Sequence, residues 1–61
     1  MTRRELKTAL IALNLIKPDI ADAEMKEIDE DLDVRKSHTL LIGSDHFITK
    51  WSADYYEFGR L

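Results

Sequence analysis

The apolar residues keep one spacing up to about residue 36 and another after it. Leu6, Leu10, Leu13 and Ile16, and then Ala21, Met25, Ile28 and Leu32, recur every three to four residues, the period of one helix face. From Ser37 the pattern changes. Thr39 to Ile42 and Phe47 to Trp51 are rich in β-branched and aromatic residues, with the turn composition Gly43-Ser44-Asp45 between them. A helix cannot bury an alternating stripe, and a strand cannot bury a 3.6-residue one. The expected fold class is therefore α+β: two N-terminal helices packed on a small antiparallel β-hairpin or three-stranded meander.

The first helix is predicted from Thr2 to about Ile16. Thr2-Arg3-Arg4-Glu5 fits a capping box, in which the Thr hydroxyl and the Glu carboxylate each satisfy a free backbone N–H. Pro18 ends the helix, because the residue before proline resists helical angles. Ile11 and Leu15 lie beside the main apolar stripe and widen it. A stripe that wide touches two elements or a second molecule, so Ile11 and Leu15 are candidate self-association residues of a homodimer. The second helix is predicted to start near Asp19, with Asp19 or Asp22 as its cap, and Arg35 and Lys36 follow to meet its last carbonyls.

In the hairpin, a two-residue loop at Gly43-Ser44 or Ser44-Asp45 places Leu40, Ile42, Phe47, Thr49 and Trp51 on one face. Thr39, Leu41, His46, Ile48 and Lys50 then share the other. Ser52-Ala53-Asp54 reads as a second turn. Tyr55 to Leu61 reads as a third strand in preference to a C-terminal helix, with Tyr56 and Phe58 inward. Trp51 is expected in the core beside them, and Tyr55 outside it.

Sixty-one residues make a single small domain, 1–61, which buries only about 60% of its unfolded surface. With no cysteine there is no disulfide and no thiolate metal site. The longest apolar run, Ala9 to Leu13, is five residues, too short to span a membrane. No signal peptide is read, and an intracellular, cytoplasmic protein is expected.

Charge is where the chain becomes distinctive. Asp19 to Asp33 holds eight acidic side chains and one basic one, a balance of −7, whereas the whole chain carries −3 and the remainder therefore +4. The acids of the second helix lie off its apolar stripe. Glu27 faces Asp31 at i+4, and Asp29, Glu30 and Asp31 crowd the negative end of the helix dipole; each such clash costs a few tenths of a kcal/mol. A cationic partner would relieve this repulsion. Glu24, Glu27, Glu30 and Asp31, projecting from one side of the helix, are the candidate partner-binding residues.

Other chemistries are weaker. His38 and His46 flank the hairpin, and zinc would need two more ligands. There are only two glycines and no phosphate-binding loop. Ser44, Asp45 and His46 are too close in sequence to form a catalytic relay. No catalytic residue, metal or cofactor is expected, and the protein is read as not an enzyme. Asp29, Asp31 and Asp33 match the first three ligand positions of a calcium loop. On these residues the segment resembles half of an EF-hand pair. Val34 stands where that loop needs Gly, and Leu40 where it needs the bidentate Glu, so the resemblance implies at most a degenerate, calcium-free adaptor.

The leading expectation is a small, non-enzymatic interaction or regulatory protein that docks a cationic protein partner through its acidic helix. Small size and independence also suit a phage- or plasmid-type regulator. The alternative from another class is a nucleic-acid-binding regulator using helix 1 and the hairpin. Residues 34–61 carry only +1, so nucleic acid is the less favoured partner.

Overall fold

The computed structural model describes residues 1–61. Helix α1 (Arg3–Ala12) and helix α2 (Ala21–Val34) precede strands β1 (Thr39–Ile42), β2 (His46–Ser52) and β3 (Tyr55–Arg60). The strands form one antiparallel sheet in the order β1-β2-β3. The fold is α+β, two helices followed by a three-stranded meander, and Tyr55–Arg60 is a strand as expected.

Helix α1 opens with the capping box. The Glu5 N–H donates to Thr2 Oγ1 at 3.2 Å, and the Thr2 N–H to Glu5 Oε1 at 2.8 Å. It ends earlier than the apolar spacing predicts. Asn14 sits in the left-handed region (φ 59), its N–H bonds the Ile11 carbonyl, and the Leu15 N–H bonds the Leu10 carbonyl at 2.8 Å. This is a Schellman closure with Asn in the left-handed position. Ile16 is still buried, but from the connection. A short 3₁₀ turn, Pro18–Ile20, leads into α2, and Ile20 occupies the N-cap with no side-chain bond, so neither Asp19 nor Asp22 caps the helix. At the other end His38, also with positive φ (52), donates through Nδ1 to the Leu32 carbonyl. Arg35 instead pairs with Asp31 one turn back.

The core is Leu6, Leu10, Ile16, Ala21, Met25, Ile28, Leu32, Ile48 and Tyr56. The α2 stripe Ala21, Met25, Ile28 and Leu32 is buried as its spacing requires. Removing a side chain such as Leu6 or Leu32 to Ala would cost about 2–5 kcal/mol.

The hairpin register corrects the sequence reading. The loop has three residues, Gly43 to Asp45, and Leu40 pairs with Ile48 and Leu41 with Phe47. Because facing residues share a side of the sheet, Leu40, Ile42, His46, Ile48 and Lys50 face the helices with Tyr56 and Phe58. Leu41, Phe47 and Thr49 face away. Trp51 lies outside as well, 65% exposed rather than core. It is the extra residue of a bulge, since Lys50 pairs with Tyr56 but Ser52 with Tyr55, and its indole N–H donates to Glu57. Gly43 has φ +64, and a Cβ there would stand 2.9 Å from Leu15 Cδ2. The loop therefore packs against the α1–α2 connection, and that contact accompanies the three-residue geometry.

Candidate docking groove

Helix α2 carries its acids in two strips, one on each side of the buried stripe. At 3.6 residues per turn, Asp22, Asp29 and Asp33 fall on one strip, and Glu24, Glu27 and Asp31 on the other, with Glu30 further round. The structure treats the two strips differently.

The first strip is neutralised within the fold. Lys7 on α1 pairs with Asp22. Arg3 Nε donates to Asp29 Oδ2 at 2.6 Å, and the Tyr56 hydroxyl donates to Asp29 Oδ1. Lys50 on β2 reaches Asp33 at 3.0 Å and Asp29 at 3.5 Å. The result is a polar seam joining α1, α2 and the sheet. Burial pushes the Asp29 carboxyl up, but its bonds from Tyr56 and Arg3 and the nearby Lys50 ammonium bring it below the usual carboxylate range. Burial, then the bond to Asp29, push the Tyr56 phenol well above its ordinary value, so it remains a donor at all working pH values.

The second strip faces an open groove of about 520 Å³. Its walls are Glu24, Glu27, Glu30 and Asp31, and its floor is Leu15, Ile16, Ile28, Leu40 and Ile42. The four acids singled out from sequence are thus brought together around one apolar floor. Two of them have internal partners: Glu24 accepts the Lys17 N–H at 2.7 Å, and Asp31 accepts from Arg35 at 2.8 Å. Glu27 and Glu30 have no ion-pair or hydrogen-bond partner. Ile11 and Leu15, read as self-association residues, are half-buried against the chain's own core, and Leu15 also lines the groove.

The floor residues were not legible as site residues. Leu40 and Ile42 read only as one face of a strand, and no local signal places β1 beside α2.

The remaining candidates separate in space. Helix α2 runs through Val34, so Asp29, Asp31 and Asp33 do not form a loop. Asp29 turns to Arg3 and Tyr56, Asp31 to Arg35, and Asp33 to Lys50. The two helix pairs of an EF-hand arrangement are replaced by one helix pair and a three-stranded sheet. No three His, Asp or Glu side chains converge to hold a metal ion. His46 stacks on Phe58 with ring centroids 5.2 Å apart, and its Nδ1 lies 2.7 Å from Asp45 Oδ1. Asp45, held below the usual carboxylate range by Arg60 and His46, closes the hairpin end. Five of the nine basic residues, Arg3, Lys7, Arg35, Lys50 and Arg60, are engaged in ion pairs with the chain's own aspartates. No helix is long and apolar enough to cross a membrane.

Compared with protein-family models, with curated proteins and with solved structures, the chain has no match in any of the three.

Proposed function

We propose that this is a small, non-enzymatic interaction protein that docks a cationic segment of another protein in the groove between α2 and β1. The observation that carries the reading is the division of labour on α2. Asp22, Asp29 and Asp33 are consumed by Lys7, Arg3 and Lys50, whereas Glu27 and Glu30 stand unpaired over an apolar floor. Uncompensated like charges on one helix cost stability, and a bound cation recovers it. An apolar floor under charged walls suits lysine and arginine, whose aliphatic stems bury while their charged ends stay at the rim. The pairing of most basic residues inside the fold weighs against phosphate recognition, which needs free cations on one surface.

Small extracellular domains usually rely on disulfides. This chain has no cysteine, and we place its work in the cytoplasm. The test is affinity capture from the source cell by the native chain and by a variant carrying Glu24→Gln, Glu27→Gln, Glu30→Gln and Asp31→Asn. A partner held by the native chain through a basic segment and released by the variant supports the reading. A partner held equally by both refutes it.

A further inference from the structure

The groove is lined by a strand with a free edge. Of the three strands, only β1 contributes to its lining, and β1 is an edge strand, paired on one side alone. The ladder phase says which of its backbone groups are free. The Lys50 N–H donates to the His38 carbonyl at 2.9 Å, so His38–Lys50 is a hydrogen-bonded pair. By alternation Leu40–Ile48 and Ile42–His46 are hydrogen-bonded too, and Thr39–Thr49 and Leu41–Phe47 are not. The close Thr39 and Thr49 hydroxyls, 2.9 Å apart, fit the shorter spacing of a non-hydrogen-bonded pair. The N–H and C=O of Thr39 and of Leu41 therefore point away from β2, along the open side. The opposite edge of the sheet is differently placed: at Tyr56 it is met by Met1, which accepts the Tyr56 N–H at 2.7 Å and donates its ammonium to the Tyr56 carbonyl.

We propose that the partner's segment binds as an added β-strand on the free edge of β1, with alternating cationic and apolar side chains; this rests on the groove being the docking surface. The alternation follows from the two faces of the added strand. Side chains on the helix side extend over Leu40, Ile42 and Ile28 toward Glu24, Glu27 and Asp31. The long aliphatic stem of lysine or arginine lies over this apolar floor with its charge arriving at the acidic rim. Side chains on the other face fall beside Leu41, which is 63% exposed, and Phe47. Small apolar residues fit there. Main-chain bonds to Thr39 and Leu41 supply affinity, and the alternation supplies selection, as in other strand-addition complexes.

The probe is an acetylated, amidated eight-residue peptide of alternating lysine and valine, titrated into the isotope-labelled chain and followed by amide NMR. Two controls accompany it: the same peptide with backbone N-methylation on alternate residues, in both phases, and a peptide of four lysines followed by four valines. The Leu41→Pro variant removes one outward N–H without touching the β1–β2 ladder, a substitution that edge strands tolerate. The expected result is slowing of Thr39 and Leu41 amide exchange by about tenfold or more. Affinity is expected to weaken by about tenfold for one phase of N-methylation, for the block peptide and for Leu41→Pro. If the alternating peptide does not bind at millimolar concentration, strand addition is wrong. If it binds, and the groove-acid variant weakens it but N-methylation and Leu41→Pro do not, docking stands and strand addition is overturned. If it binds and neither the acids nor the edge matter, both readings fall. Because N-methylation alters only the peptide, the test survives any misfolding of the Leu41→Pro variant.

Discussion

The Tyr56 hydroxyl donates to the Asp29 carboxylate and so ties the start of β3 to α2. Tyr56 is fully buried, and its hydroxyl has no water to fall back on. Hydrogen bonds to charged groups contribute about 1.5–3 kcal/mol. Tyr56→Phe is expected to lower the unfolding free energy by about that much while leaving the fold intact, read as a lower urea midpoint at unchanged slope.

Asp29 also contributes to the acid limit of the fold. Its carboxyl is depressed in the folded chain, so its contribution is fully present above the ordinary carboxylate value of 3.8 and is lost as pH falls through the lower folded value. Asp22, bonded to Lys7, and Asp45, bonded to Arg60, are shifted the same way. Stability should hold steady from neutral pH to about 5 and then fall steeply below about 4. Asp29→Asn should show lower stability at neutral pH and a shallower acid slope, measured by thermal unfolding across pH.

Two of the three left-handed positions, Asn14 and Gly43, shape the turns on either side of Leu15. Asn14 closes α1 with φ 59, and Gly43 opens the hairpin loop with φ +64. Asn14→Gly should be neutral or slightly stabilising, and Asn14→Ala should cost about 1 kcal/mol. Gly43→Ala should cost at least as much, because its Cβ would meet Leu15 at 2.9 Å as well as carry an unfavourable φ. Chemical denaturation of the three variants gives the order directly.

Glu27 marks the tension between stability and docking. It has no ion-pair partner and lies one helical turn before Asp31. Glu27→Gln should raise stability by a few tenths of a kcal/mol at low salt, with the gain shrinking as salt is added, and should weaken partner binding. A residue whose loss stabilises the chain and harms binding serves the surface rather than the fold.

The legible part of this structure is the part whose signals are local. The stripe Ala21, Met25, Ile28 and Leu32 and the Thr2–Glu5 capping box read directly from spacing. The end of α1 does not, because Leu13 and Ile16 continue the helical period past Ala12, and the left-handed closure at Asn14 outweighs it. The hairpin faces are ambiguous in the sequence because Phe47 and Ile48 are adjacent and both apolar, so either loop length buries one of them. What decides is long-range: Lys50 and Tyr56 must face α2 to meet Asp33 and Asp29, and this fixes Ile48 inward and Phe47 outward. The acids of the groove were visible in the charge distribution. Its floor was not, since it arises only when β1 comes to lie beside α2.

The central claim is that Glu24, Glu27, Glu30 and Asp31 form one working surface. Its most direct test is the affinity of the captured partner, measured by calorimetry, for three proteins: the native chain, the four-acid groove variant, and a control carrying Asp19→Asn and Glu57→Gln. The control removes negative charge away from the groove. The account predicts near-native affinity for the control and a loss of about a hundredfold or more for the groove variant, consistent with several charge-assisted contacts. Equal affinities for all three, or equal losses in both variants, would contradict it.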